Sequence, residues 1–329
     1  MQRHAAPSLA LAFALALFAC EHNRHDRTRA PMGPPLAFET TTLEPSLGEP
    51  TPALDILARE LDVNFAKLTS EAVEDPAYFM AYDLVRVESL WVEANDGALD
   101  KRHVDDDRTV DVDVRVGDPL LDNGHPTNGF YGGNGLGTGI QVSLTDDPLS
   151  LAQALWMVTE LQYQDAVEAW VEAVSSESML TREDELQHPD FTLVEKPLVH
   201  VEAVREVDLE AIAEQWAPVV TKLSAILDAD PVVQQASAVL NAVVENRSYV
   251  DTEGARVQSN RVRVRLMMVV TAQADDGMAL ERFLSFERHD ASQLPSPAEL
   301  EAMAAQLHAE LMLLREAPIA EQWAPVVTK

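Results

Sequence analysis

The sequence predicts an α+β fold, a mostly antiparallel sheet with packed helices, on three observations. Long runs of alternating apolar and polar residues are punctuated by hairpin signals such as Asn95-Asp96-Gly97. Segments of helical spacing alternate with those runs. The second half of the chain then repeats the logic of the first without repeating its residues. Hairpin-linked strands of this kind argue against a parallel, doubly wound sheet.

Ordered structure is expected to begin with a helix over 53–73, where Leu54, Leu57, Leu61, Phe65 and Leu68 recur at helical spacing. The period then changes to two. A strand over 78–94 ends at Asn95-Asp96-Gly97, a second strand follows, and Asp105-Asp106-Asp107 reads as another turn. Next, Val110, Val112, Val114 and Val116 alternate with Asp111, Asp113 and Arg115 in a strand with one wet face. Residues 117–139 hold eight glycines and read as a mobile loop or surface excursion. Asp146 and Asp147 before Pro148 cap a long helix to about Val174, with Ala152, Leu155, Trp156, Tyr163, Val167, Trp170 and Val174 as its inward stripe. A helix over 209–227, strands over 232–250, 256–272 and 279–287, and a closing helix over 297–314 complete the domain, 53–317.

The chain begins with Arg3 and His4, an apolar run from Leu9 to Phe18, and Leu17-Phe18-Ala19-Cys20. This is the pattern of a signal peptide over 1–19, too short and wrongly flanked for a permanent span. Ala19-Cys20 resembles a lipobox, so Cys20, the only cysteine, is the expected lipidation site; the plainer reading is a signal peptide that merely contains a cysteine. The expected localisation is exported and lipid-anchored, on the periplasmic face of a bacterial membrane. Glu21 after the cysteine points to the outer membrane. Residues 20–52, with Pro31, Pro34, Pro35, Pro45, Pro50 and Pro52, lack apolar periodicity and read as a disordered tether.

Twenty-four Lys and Arg against 55 Asp and Glu give a formal charge of −31. Such a surface repels phosphate backbones, which excludes nucleic acid as a partner, and leaves membrane attachment to the lipid anchor. There is no H-E-x-x-H, and the nine histidines are scattered, so no metal or other cofactor is expected within the chain. G-x-S-x-G is absent as well. Gly133 to Gly139 lacks the lysine of a P-loop and reads as a plain loop. Asp122, Asn123 and His125, at the end of a strand, form the candidate ligand loop; the alternative is a turn in which Asp and Asn bond the backbone. Ile212–Lys222 and Ile319–Lys329 are the same eleven residues, which repeat families do not preserve as identical strings. Residues 318–329 therefore read as a duplicated string that marks a truncation or artefact.

Leu84–Asp122 and the residues just after it, with VESLWVEANDGALD, DVDVRVGD and LLDNGHP, resemble the N-terminal domain of the TldD/PmbA family, in the branch described as TldD-related modulators of gyrase. Leu155-Trp156, Pro189-Asp190-Phe191, Trp216, Tyr249–Gly254 and Asp276-Gly277-Met278 continue the match in order, over about 53–320. The resemblance implies the substrate-enclosing domain of a two-domain metallopeptidase that works in pairs. It also implies that zinc comes only with a C-terminal domain absent here, so no catalytic or metal residue carries over. Expected partners are then a paralogous TldD/PmbA-like chain or an unfolded peptide. The alternative is a complete, non-catalytic lipoprotein that serves as a binding or pairing module.

The lipobox reading has a direct consequence. Cys20→Ala should release the protein from membranes and abolish metabolic palmitate labelling, since two or three acyl chains give stable anchoring. Unchanged fractionation of the variant would refute the anchor.

Overall fold

The structure, a computed structural model, describes residues 48–70, 73–126, 139–179 and 189–317. The signal and lipobox, most of the tether, the core of the glycine-rich loop and the duplicated C-terminal string lie outside the described residues.

Helix α1 (Pro52–Leu68) leads into the hairpin β1 (Ala77–Asn95) and β2 (Ala98–Asp118). Two short strands, β3 (Leu121–Asp122) and β4 (Ile140–Gln141), precede the long helix α2 (Pro148–Met179). After β5 (Val199–Val201) and α3 (Leu209–Leu227) come β6 (Val233–Asp251), β7 (Arg256–Gln273), β8 (Ala279–Arg288) and α4 (Pro297–Glu316). The strands form one sheet in the order β3-β2-β1-β6-β7-β5, with β4 on β2 and β8 on β7. All pairs are antiparallel except β5 with β7. The α+β fold read from the sequence is the observed one.

Strand alternation decides where the core lies. In β1, Met80, Tyr82, Leu84, Leu90, Val92 and Ala94 are buried, so even-numbered positions face the helices. Two separate apolar clusters form there. Helices α1 and α2 cover Met80, Tyr82, Leu84 and Val110 to Val116, while α3 and α4 cover Leu90 to Ala94 and the even positions of β6 and β7. Between them the same face turns polar at Arg86 and Glu88. Arg86 makes a bidentate pair with Asp106, at 2.9 and 2.7 Å, which holds that carboxyl below its ordinary range.

That pair explains one correction. Asp105-Asp106-Asp107, expected as a turn, lies inside the uninterrupted β2, opposite Ser89, Glu88 and Val87. Asp106 is neutralised by Arg86, while Asp105 and Asp107 point into water. A run of carboxylates is therefore tolerated in a strand. The real turn is Asp96-Gly97, both at positive φ, where the Asp96 side chain accepts from the Ala236 N–H and a Cβ on Gly97 would meet that of Ala225 at 3.2 Å.

Three smaller expectations also shift. Helix α1 stops at Leu68, capped at Thr69, instead of continuing to Val73. Trp156 and Val174, placed on the inward stripe of α2, are 53% and 42% exposed. Leu151, Leu155, Val158, Ala166 and Ala173 form the buried stripe, with Trp170 partly buried beside it. Asp147 caps α2 through Ser150, whereas Asp146 turns to Arg108 at 2.6 Å and to the Ala53 N–H of α1. Residues 48–51, counted with the tether in the sequence, are docked on the sheet: the Gly48 N–H donates to Val201 and the Thr51 N–H to Gln258.

At the centre of the first cluster the hydroxyl of fully buried Tyr82 accepts from Asn64 at 3.0 Å and bonds Thr159 at 2.7 Å. Tyr82→Phe should cost about 1–3 kcal/mol in denaturant unfolding, because it leaves two buried polar groups without this partner. A loss below a few tenths would show that Asn64 and Thr159 re-pair with each other or with water.

Candidate functional site

The odd-numbered face of the sheet carries no helix among the described residues, and from Asp83 to Glu93 every odd position of β1 is at least partly exposed. Register fixes its layout row by row. One row runs Asp107, Val87, Glu245, Arg261 across β2, β1, β6 and β7; the next runs Asp105, Ser89, Val243, Arg263. A third runs His103, Trp91, Asn241, Arg265 and on to Glu287 of β8. The β2 side is thus acidic in these first two rows, the middle partly apolar, and β7 basic. Further along, Met267, Val269 and Phe283 extend the apolar part, with Phe283 65% exposed. Trp91 donates its indole N–H to Glu93, which leaves its ring on the surface.

One end of this face is closed by the loop that the sequence singled out. Asp122 is fully buried; its carboxylate accepts from the Tyr78 hydroxyl at 2.6 Å, Arg115 at 3.1 Å and the Gly124 N–H at 2.6 Å. Burial, reinforced by that carboxylate, pushes the Tyr78 hydroxyl well above its ordinary range. Asn123 substitutes for a neighbouring strand: its side chain accepts from the Val116 N–H and donates to the Val114 carbonyl. His125 meets Asp190 at 2.9 Å, and Asp190 also accepts from the Asp122 N–H. Phe191 then lies 4.6 Å from Phe79, with the Arg115 guanidinium 5.1 Å from its ring centre. Asp122, Asn123 and His125 are therefore brought together: Asn123 fastens the loop to β2, while the Asp122 N–H and His125 hold Asp190, clamping residues 189–191 over the sheet end. Asp190 and Phe191 entered the sequence reading only as part of a family string; nothing in their spacing marked them as the other half of this clamp.

Beside the clamp, Asp111 stands directly across from Asp83, which is held in a bidentate pair by Arg247. Burial, and then the Asp83 charge, raise the Asp111 carboxyl above its ordinary range. On the helix-covered face, the polar gap between the two clusters holds a cavity of about 110 Å³ edged by Arg86, Glu88, Arg108, Asp146, Asn246 and Ser248. Of the arginines that line it, Arg86, Arg108 and Arg247 are paired with Asp106, Asp146 and Asp83.

Among the described residues no three His, Cys, Asp or Glu side chains converge to hold a metal ion. His103, His125 and His200 meet carboxylates, while His289 and His308 bond backbone carbonyls. A zinc centre therefore does not fit the donor sets described.

Residues 203–312 match the family model of the PmbA/TldA metallopeptidase central domain. Over these residues the chain is similar to the TldD/PmbA family. The match narrows the resemblance drawn from the sequence, since the family's central domain, and not its N-terminal one, accounts for α3, β6, β7, β8 and most of α4. Among solved structures, a Thermotoga maritima protein described as a proposed modulator of a DNA gyrase shares 12% identity at a TM-score of 0.43. That match covers 77% of this chain and 47% of the other. TldE from Thermococcus kodakarensis shares 10% at 0.42, covering 79% and 47%. A Bacteroides thetaiotaomicron protein, also described as a proposed gyrase modulator, shares 7% at 0.43, covering 78% and 49%. The chain spans about half the length of these structures. No curated protein matches its sequence.

The arginine column of β7 was missed in the sequence, although Arg261-Val262-Arg263-Val264-Arg265 is a plain period-two signal placing three cations on one strand face. Two consequences can be measured. Asp122→Ala should destabilise the fold by about 3 kcal/mol or more, because Arg115 and Tyr78 lose a buried acceptor, and should expose the 189–191 segment to proteases. Asp111→Asn should raise the melting temperature at neutral pH. Its folded carboxyl is raised, so the charged form costs stability above that range; the gain should vanish at pH values where the unfolded carboxyl is also protonated.

Proposed function

We propose that this chain is the substrate-enclosing part of a TldD/PmbA-like metallopeptidase, with zinc and its catalytic acid supplied from outside the described residues. The match of residues 203–312 to a metallopeptidase central domain carries the reading. The open sheet face supports it: a broad wall with a partly apolar middle and charged flanks suits an extended, unfolded peptide, whose side chains alternate as the strands' do. A zinc-bearing partner of the same family would complete the enzyme, and a lipid anchor at Cys20 would hold the wall at the periplasmic face of a membrane.

A second reading is a non-catalytic binding or pairing module. The described donor sets favour it, since His103, His125 and His200 meet carboxylates, His289 and His308 bond backbone carbonyls, and no three ligating side chains converge among the described residues.

The chain alone should bind a fluorescein-labelled unfolded peptide without cleaving it and should retain no zinc after dialysis. One tightly held zinc per chain, with cleavage that a chelator stops, would show an enzyme complete in itself. Absence of binding to any unfolded peptide would remove the enclosing role.

A further inference from the structure

We infer that the open face selects short zwitterionic peptides laid across the strands, the cationic end on the Asp105 and Asp107 row of β2 and the anionic end on the arginine column of β7. The inference rests on the peptide-enclosing reading and adds the chemistry and direction of what is held.

The first support is segregation of charge. In a chain of net charge −31, three successive outward positions of β7 are arginines. Arg261 and Arg265 are exposed, and Arg263 is partly buried with its Nε shielded and without a hydrogen-bond partner. Among the described residues no ion pair satisfies Arg261 or Arg263, whereas Arg86, Arg102, Arg108, Arg115 and Arg247 are all paired. Glu245, the carboxylate across from Arg261 on β6, makes no ion pair with it. On the far side Asp105 and Asp107 are exposed; Asp105 meets His103 and Asp107 accepts from Gln141. The unneutralised surplus is thus positive on β7 and negative on β2.

The second support is spacing. Register places Asp107 in one row with Arg261 and Asp105 in one row with Arg263, three strand intervals apart. At about 4.8 Å per interval the charged rows stand about 14 Å apart, the reach of roughly four extended residues. Between them lie Val87 and Glu245 in one row and Ser89 and Val243 in the other, with Trp91 on the next row, so these two rows hold no cation between their ends. A peptide of that length with free ends carries its amine and carboxylate at the separation the rows require. A long unfolded chain has no such termini and would gain only from its side chains.

Calorimetric titration of the chain with the tetrapeptide Lys-Val-Ala-Glu, free at both ends, tests this. The control is the same peptide with Gln at both charged positions and blocked termini. The zwitterion should bind about tenfold more tightly, as expected for a few exposed ion pairs, and the margin should shrink as salt is raised. Arg261→Glu with Arg263→Glu should erase the margin, and so should Asp105→Lys with Asp107→Lys. All four together should restore it, because the exchanged face accepts the same peptide in the opposite direction; equal melting temperatures confirm intact folds. A neutral peptide that binds as tightly, or variants that leave the margin unchanged, overturns the inference while the enclosing role stands. A concentration-dependent dimer that Arg261→Glu with Arg263→Glu dissolves also overturns it, by putting a second copy on the face. Failure of every peptide, long or short, instead removes the reading beneath it.

Discussion

Everything in this molecule depends on strand parity held in register across β2, β1, β6 and β7. These are among the longest strands in the chain, 18 to 21 residues each, and their pairing runs almost unbroken. A slip of one residue anywhere would turn Leu90, Val92, Val264 and Leu266 into water and Trp91 and the β7 arginines into the helix layer. The cost of burying three guanidinium groups forbids it. The same alternation that builds the core therefore also builds the charged outer face, and the two cannot vary independently.

Much of the fold was legible because this constraint is local. Val110 to Val116 and the leucines of α1 announce their period directly, and the hairpin at Asp96-Gly97 announces itself through turn chemistry. What failed was any judgement that needed a partner distant in sequence. Asp105 to Asp107 read as a turn because Arg86, some twenty residues earlier, was invisible as their neutralising neighbour. Trp156 read as core because helical spacing reports a face and not whether anything covers it. The three-residue β5, parallel to β7, is too short to carry a pattern of its own.

The candidate loop shows the same boundary from the other side. Asp122, Asn123 and His125 stood out as polar groups at a strand end, and they do converge. Their bonds run to Tyr78, Arg115, Val116 and Asp190, so the cluster reads as a clasp. Polar residues at a strand end look alike in sequence whether they fasten a loop or await a ligand, and only the partner list separates the two.

The polar seam at Arg86 and Asp106 divides the buried face into two oil-filled compartments joined by strands alone. Each compartment keeps its own helices, α1 with α2 on one side and α3 with α4 on the other. Cooperativity in such an object is carried by backbone ladders and not by shared side-chain packing. The chain therefore has the anatomy of two foldons on a common spine, in which loosening of the α1 and α2 side can proceed while the half that matches the central-domain model stays closed.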